Sequence, residues 1–204
     1  NVGSKLLAQI AKQQPYLLQK LRIRLKICGI ANSKQFLVNE DGIDLQQWQA
    51  EFKKAIAGNM DTYTEAIKEK NLRNSVFADV TASDTVAMVY DRLLERSVAV
   101  VACNKVACSS GYDYYKKLKN LATEYNAPFL FETNVGAGLP VIGTLNDLVK
   151  SGDSIHKMQA VLSGTLNFVF NNYDGSRPFA DVVKQAQEEG YTEPDPRLDL
   201  GGKD

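Results

Sequence analysis

The 204-residue sequence has 24 Lys+Arg, 24 Asp+Glu, a formal net charge of zero and 44% hydrophobic residues. The absence of long charged runs argues against nucleic acid or a charged membrane surface as main partner, and no apolar stretch reaches the ~18 residues of a membrane span. Cys28, Cys103 and Cys108 lack metal-ligand spacing and fit reduced thiols in a cytosolic protein, while the single His156 cannot build a histidine metal cluster.

In chain order, Val2 to Lys12 is expected as a helix with Leu6, Leu7 and Ile10 on one face. A strand is expected from Leu21 to Ala31, then a helix from Leu45 to Ala57 with Trp48, Phe52 and Ile56 on its apolar side. Further helices are expected over Asp61 to Asn71, Val86 to Glu95 and Tyr112 to Tyr125. They alternate with strands at Val76 to Val80, Val98 to Ala102 and Pro128 to Phe131. The run Val98 to Ala102 has the near-continuous apolar character of a strand buried on both faces. This alternation predicts a parallel α/β sheet.

Beyond it the spacing predicts a helix over Leu139 to Lys150 and a strand over Ile155 to Leu162 that carries His156, structural or exposed. Helices follow over Thr165 to Tyr173 and Pro178 to Glu189. Gly190 suits the residue after the last helix, and Tyr191 to Asp204 is expected as loop. A domain boundary is expected near Gly138 to Ser151, after a parallel α/β unit that lacks its first strand. A sheet of this kind normally begins with a strand, so Asn1-Val2-Gly3 is read as the tail of a strand-turn-helix.

Several segments could carry chemistry. Gly3 before an apolar helix is either an ordinary helix start or the last glycine of a pyrophosphate-binding turn, which brings phosphate to backbone N–H groups. The turn Ala31-Asn32-Ser33-Lys34 has no acid for a ribose 2′-hydroxyl; Ser33 and Lys34 could meet a 2′-phosphate, or form a plain polar loop. Asp79-Val80-Thr81-Ala82-Ser83 and Cys103-Asn104-Lys105 follow buried strands, where open α/β sheets bind ligands. Ser83 or Asp84 could equally cap a helix, and Lys105 could reach solvent along its stem. Glu132 with the carbonyls exposed by the Val135-Gly136-Ala137-Gly138-Leu139 turn is a donor set for a hard cation, or a glycine-rich turn without an ion. The acids of 191–204 could hold a small amino-acid-like substrate or be solvated. Cys103 is the one thiol near the crevice that could serve a cysteine-acylating semialdehyde reductase, and no histidine lies near it in sequence.

Glu132 to Ile142 (ETNVGAGLPVI), Leu162 to Asn167 (LSGTLN) and Gly190 to Gly202 (GYTEPDPRLDLGG) together resemble homoserine dehydrogenase. NVG at Asn1, ANSK at Ala31 and NK at Asn104 agree in order and separation. The resemblance is strongest to the dehydrogenase part of bifunctional aspartate kinase–homoserine dehydrogenases. It implies NADP-linked interconversion (NAD being possible) of L-homoserine and L-aspartate 4-semialdehyde in threonine, methionine and isoleucine biosynthesis. It also implies that 1–140 is a Rossmann-type NADP-binding domain and 141–204 the start of an α+β substrate and dimerisation domain, with a cytoplasmic location (a plastid in a plant), a homodimer or higher oligomer, and possible fusion to an aspartate kinase. By the same resemblance Val2, Gly3, Ala31, Ser33, Lys34, Thr81, Ser83, Lys105 and Gly190 would contact the cofactor. Lys105, Glu193, Asp199 and Asp204 would bind substrate, with Lys105 and Asp204 in the chemistry. Glu132 and the carbonyls of Val135, Ala137 and Leu139 would hold a monovalent cation, usually sodium.

The chain departs from the family where Cys103-Asn104-Lys105-Val106 replaces Pro-Asn-Lys-Lys and Arg197-Leu198-Asp199 replaces Arg-Asp-Asp. The family's catalytic lysine follows the substrate aspartate by four residues, and the sequence ends at Asp204. The 204 residues alone are therefore expected to have little or no activity. The alternative of another class is a module that binds dinucleotide or dimerises without turnover.

Overall fold

The computed structural model describes residues 2–192 and 195–202. The chain divides into two compact units, one ending at Asn134 and one beginning at Val135.

The first unit opens with α1 (Val2–Leu21), which runs past the expected end at Lys12 and carries Pro15 inside it. No α1 residue is fully buried. The expected strand Leu21 to Ala31 is corrected: only β1 (Gly29–Ala31) forms. Residues 22–28 alternate apolar and basic as a strand would, yet Ile23 is 51% exposed. A strand exists only where its backbone groups find a ladder, and in this stretch the carbonyls of Leu25, Ile27 and Cys28 accept instead from the Gln14 side chain, Ile43 N and Asn39 N.

β1 pairs antiparallel with β2 (Gln35–Val38), which pairs antiparallel with β3 (Ile56–Ala57). The expected helix Leu45 to Ala57 shrinks to α2 (Trp48–Phe52), because its last two residues join the sheet. α3 (Met60–Lys70) starts at a capping box in which the Asn59 side chain accepts from Thr62 N and the Thr62 hydroxyl accepts from Asn59 N.

The parallel sheet then appears as read. β4 (Val76–Asp79), β5 (Ala99–Ala102) and β6 (Phe129–Leu130) lie in that order, with Val76 opposite Ala99 and Val100 opposite Phe129. Its crossovers are α4 (Asp84–Ala87) with α5 (Tyr90–Leu94), a broken version of the one expected helix, and α6 (Val106–Ser109) with α7 (Tyr112–Glu124). Phe77, Val100 and Phe129 are buried on one face, while Val76, Val101 and Leu130 are 60%, 42% and 55% exposed on the other. This corrects the expectation that Val98 to Ala102 is buried on both faces.

A line of aromatic rings crosses the core of this unit: Phe36, Tyr63, Phe77, Tyr90, Phe129 and Phe131, with successive centroids 5.0 to 6.4 Å apart. Rings at these separations add attraction beyond the area they bury. After β6 comes a single 3₁₀ turn, Glu132–Asn134.

The second unit contains α8 (Ile142–Lys150), α9 (Gly164–Asn172), α10 (Phe179–Glu188) and α11 (Pro196–Leu200). Its fully buried core is Val169, Val182 and Ala186. The strand expected over Ile155 to Leu162 is absent: Met158, Val161 and Leu162 are 66%, 76% and 65% exposed and His156 is exposed. No neighbouring strand is present among the described residues to complete its hydrogen bonds. The tail was expected as loop, but Asp195 accepts from Arg197 N and Pro196 occupies the first turn, the standard start of a helix. Among the described residues no helix is long and apolar enough to cross a membrane.

Candidate functional site

Of the candidate residues in the first unit, Thr81, Ser83 and Lys105 lie at the carboxyl ends of β4 and β5. Asp79, the last residue of β4, is 2% exposed. Burying a carboxylate is costly unless donors surround it. Here the Tyr90 hydroxyl donates to Oδ2 at 2.5 Å, Asn104 Nδ2 to the same oxygen at 2.9 Å, and Thr81 N to Oδ1 at 2.8 Å. Burial, and then the bond to Asp79, push the Tyr90 phenol well above its ordinary range.

Asn104, 1% exposed, links two strand ends. Its Nδ2 also donates to Ser83 O at 3.0 Å, and its Oδ1 accepts from Val106 N at 3.1 Å. Asn134 Nδ2 donates to Asn104 O at 3.3 Å and brings in the end of β6. Asn134 Oδ1 is the buried side-chain polar atom without a partner among the described residues.

This network sets out Thr81, Ser83 and Lys105. Thr81 is exposed, and its hydroxyl accepts from Ser83 N at 3.2 Å. Ser83 occupies the position before α4 without making a side-chain cap; its hydroxyl pairs with that of Thr85 at 2.9 Å. The capping alternative therefore does not account for it. Lys105 is half-buried at the start of α6, and its carbonyl accepts from Cys108 N and Ser109 N. Beside it, burial and the charge of Asp79 raise the Cys103 thiol above its ordinary value. Burial raises Cys108 to about 11. Neither is the low-pKa thiolate that an acylating cysteine requires.

Val2 and Gly3 lie in the first turn of α1, with Val2 exposed. Ala31, Ser33 and Lys34 are all exposed at the turn between β1 and β2. Asn32 Oδ1 shapes that turn by accepting from Lys34 N and Gln35 N at 2.8 and 2.9 Å.

In the second unit, Gly136 and Ala137 have φ of +72° and +51°, which turn successive carbonyls out of any regular ladder. The Leu139 carbonyl accepts from Val141 N at 3.0 Å. Among the described residues no three His, Cys, Asp or Glu side chains cluster as a metal site. Glu132 begins the 3₁₀ turn of the first unit and is half-buried.

Gly190, at φ +80°, follows α10; Tyr191 N reaches back to Ala186 O at 2.9 Å. That is the left-handed helix stop expected of it. Asp199 on α11 is 4% exposed, and the Thr165 hydroxyl at the start of α9 donates to its Oδ1 at 2.7 Å. Glu193 and Asp204 lie outside the described residues. Sequence reasoning missed Asp79 and Tyr90 as partners, and it missed Thr165. A polar residue closing a buried strand was the available signal for Asp79.

Comparison with known proteins covers both units. Residues 1–132 match the family described as homoserine dehydrogenase, NAD binding domain, and residues 140–204 match homoserine dehydrogenase. The chain is 40% identical to the bifunctional aspartokinase/homoserine dehydrogenase 1, chloroplastic, of Zea mays and 41% identical to the bifunctional aspartokinase/homoserine dehydrogenase of Buchnera aphidicola. All of this chain is matched in both comparisons, which span 22% and 25% of those proteins. The fold superposes on a hyperthermophilic archaeal homoserine dehydrogenase solved with NADPH at a TM-score of 0.78 and 25% identity. The match covers 98% of this chain and 61% of that one.

Proposed function

The chain belongs to the homoserine dehydrogenase family, and from that premise we propose that the protein carrying it interconverts L-homoserine and L-aspartate 4-semialdehyde with NADP. The observation that carries this reading is the meeting of Thr81, Ser83 and Lys105 at adjacent strand ends through Asn104.

The donor set suits the cofactor. The Asn32 turn offers the Ser33 hydroxyl and the Lys34 ammonium, both exposed, with no carboxylate in residues 29–34. This chemistry accepts a 2′-phosphate and disfavours a bare ribose diol. Val2 and Gly3 would meet the pyrophosphate at the N-terminus of α1, and Gly190 would lie against the cofactor. The dinucleotide, when bound, exchanges a hydride with the substrate carbon. The chain's own residues orient that carbon and handle the hydroxyl proton. Lys105 would hold the hydroxyl or carbonyl oxygen, Glu193 the amino group, and Asp199 and Asp204 the surrounding polar shell. A buried Asp199 acts by holding α11 in place.

Glu132 with the carbonyls of Val135, Ala137 and Leu139 would hold a monovalent cation, sodium by the resemblance. The positive φ values at 136–137 and an all-oxygen donor set support it. The exposed apolar stretch 155–162 supports a homodimer or higher oligomer, and the bifunctional relatives support fusion to an aspartokinase. The pathway implied is threonine, methionine and isoleucine synthesis, in the cytoplasm or, in a plant, the plastid.

The test is homoserine-dependent reduction of NADP by the full-length protein. Turnover is expected, and Glu193→Ala should raise KM for homoserine at least about tenfold through lost charge pairing. NADP binding without turnover would favour a non-catalytic dinucleotide module.

A further inference from the structure

We propose that Asp79 is a positioning residue that sets Thr81 and Lys105 for the cofactor through Asn104. The inference deepens the reading above and rests on it. Asp79 and Asn104 are 2% and 1% exposed, so neither side chain can touch a bound dinucleotide itself. Both are nevertheless aimed at residues that can.

The chemistry requires a carboxylate at this position. Three donors converge on it: a phenol, an amide N–H₂ and a backbone N–H. A carboxylate is acceptor-only and satisfies all three, whereas an amide would turn an N–H₂ group toward at least one donor. Holding Asn104 Nδ2 on Asp79 and Ser83 leaves Asn104 Oδ1 to accept from Val106 N. The peptide on either side of Lys105 is thereby fixed. The second carboxylate oxygen fixes Thr81 through its N–H. One buried side chain thus sets the backbone at two strand ends. Tyr90 differs: it binds the same oxygen as Asn104 but contacts neither loop through it.

The three roles separate by substitution in the full-length protein, with the NADPH Kd read by fluorescence titration alongside Tm and steady-state kinetics. Asp79→Asn and Asn104→Ala are each expected to raise the NADPH Kd about tenfold and to lower kcat more than they change KM for homoserine. The double variant should be little worse than either single one, because both break one link. Tyr90→Phe should lower Tm while leaving the Kd within about twofold. If Asp79→Asn does not fold, Asn104→Ala set against Tyr90→Phe still decides. A Kd that follows Tm equally across the variants, or a wild-type Kd in Asn104→Ala, overturns the inference. Absence of homoserine turnover in the wild-type protein would instead overturn the activity reading, and the Kd comparison stands apart from it.

Discussion

The two compact units hold their candidate residues in different ways. In the first, Thr81 and Lys105 stand on ends of a parallel sheet whose buried face is filled by a line of aromatic rings, and a buried carboxylate ties those ends together. In the second, Asp199 sits on a five-residue helix and accepts from the Thr165 hydroxyl of α9, beside a core of Val169, Val182 and Ala186. Preorganisation in the first unit rests on the buried Asp79–Asn104 link and the aromatic core beneath it. The second unit has the smaller buried core, so its local order should fail first.

The largest expected effect tests the first scaffold. Leu93 is 0% exposed, and Leu93→Ala should cost about 3–5 kcal/mol by urea denaturation. Val182→Ala, equally buried in the smaller core, should cost about 2 kcal/mol. Equal losses would erase the contrast.

High pH offers a second probe. Burial raises the phenols of Tyr63, Tyr90 and Tyr114 above their ordinary value, so the unfolded chain releases these protons first. Stability from these groups is complete below about pH 10 and falls as pH rises beyond it. Tm measured across that range should drop, and the first unit should lose structure as it does.

In the second unit, Thr165→Val should cost about 1–3 kcal/mol, since it takes a donor from a buried carboxylate. Gly190→Ala should cost about 1 kcal/mol at φ +80°, although an added Cβ would meet nothing within 4 Å. The smallest effect belongs to the surface. Lys68→Ala removes an i,i+3 pair with Glu65 and should cost about 0.3 kcal/mol.

The sequence made the parallel half of the fold legible because β4, β5 and the helices after them carry their own periodicity and find their partners nearby. The stretches 22–28 and 155–162 carry equally good strand patterns. Their hydrogen-bond partners are not encoded in the pattern, and neither forms a ladder among the described residues. Lys105 and Thr81 could be chosen from their place after buried strands. Asp79 shared that signal, but its partner Asn104 and the pairing of Thr165 with Asp199 could not be read, because those contacts span 25 and 34 residues of sequence. Gly190 was readable both as a helix stop and as a cofactor contact, and its geometry already accounts for the first.

The account depends most on Lys105 at the carboxyl end of β5. Lys105→Met in the full-length protein, titrated with NADPH and assayed with homoserine, tests it directly. The expected result is a Kd raised about tenfold or more and kcat/KM lowered roughly 100-fold, with Tm little changed. Wild-type affinity and turnover in that variant would contradict the assignment of the cofactor and substrate to this end of the sheet.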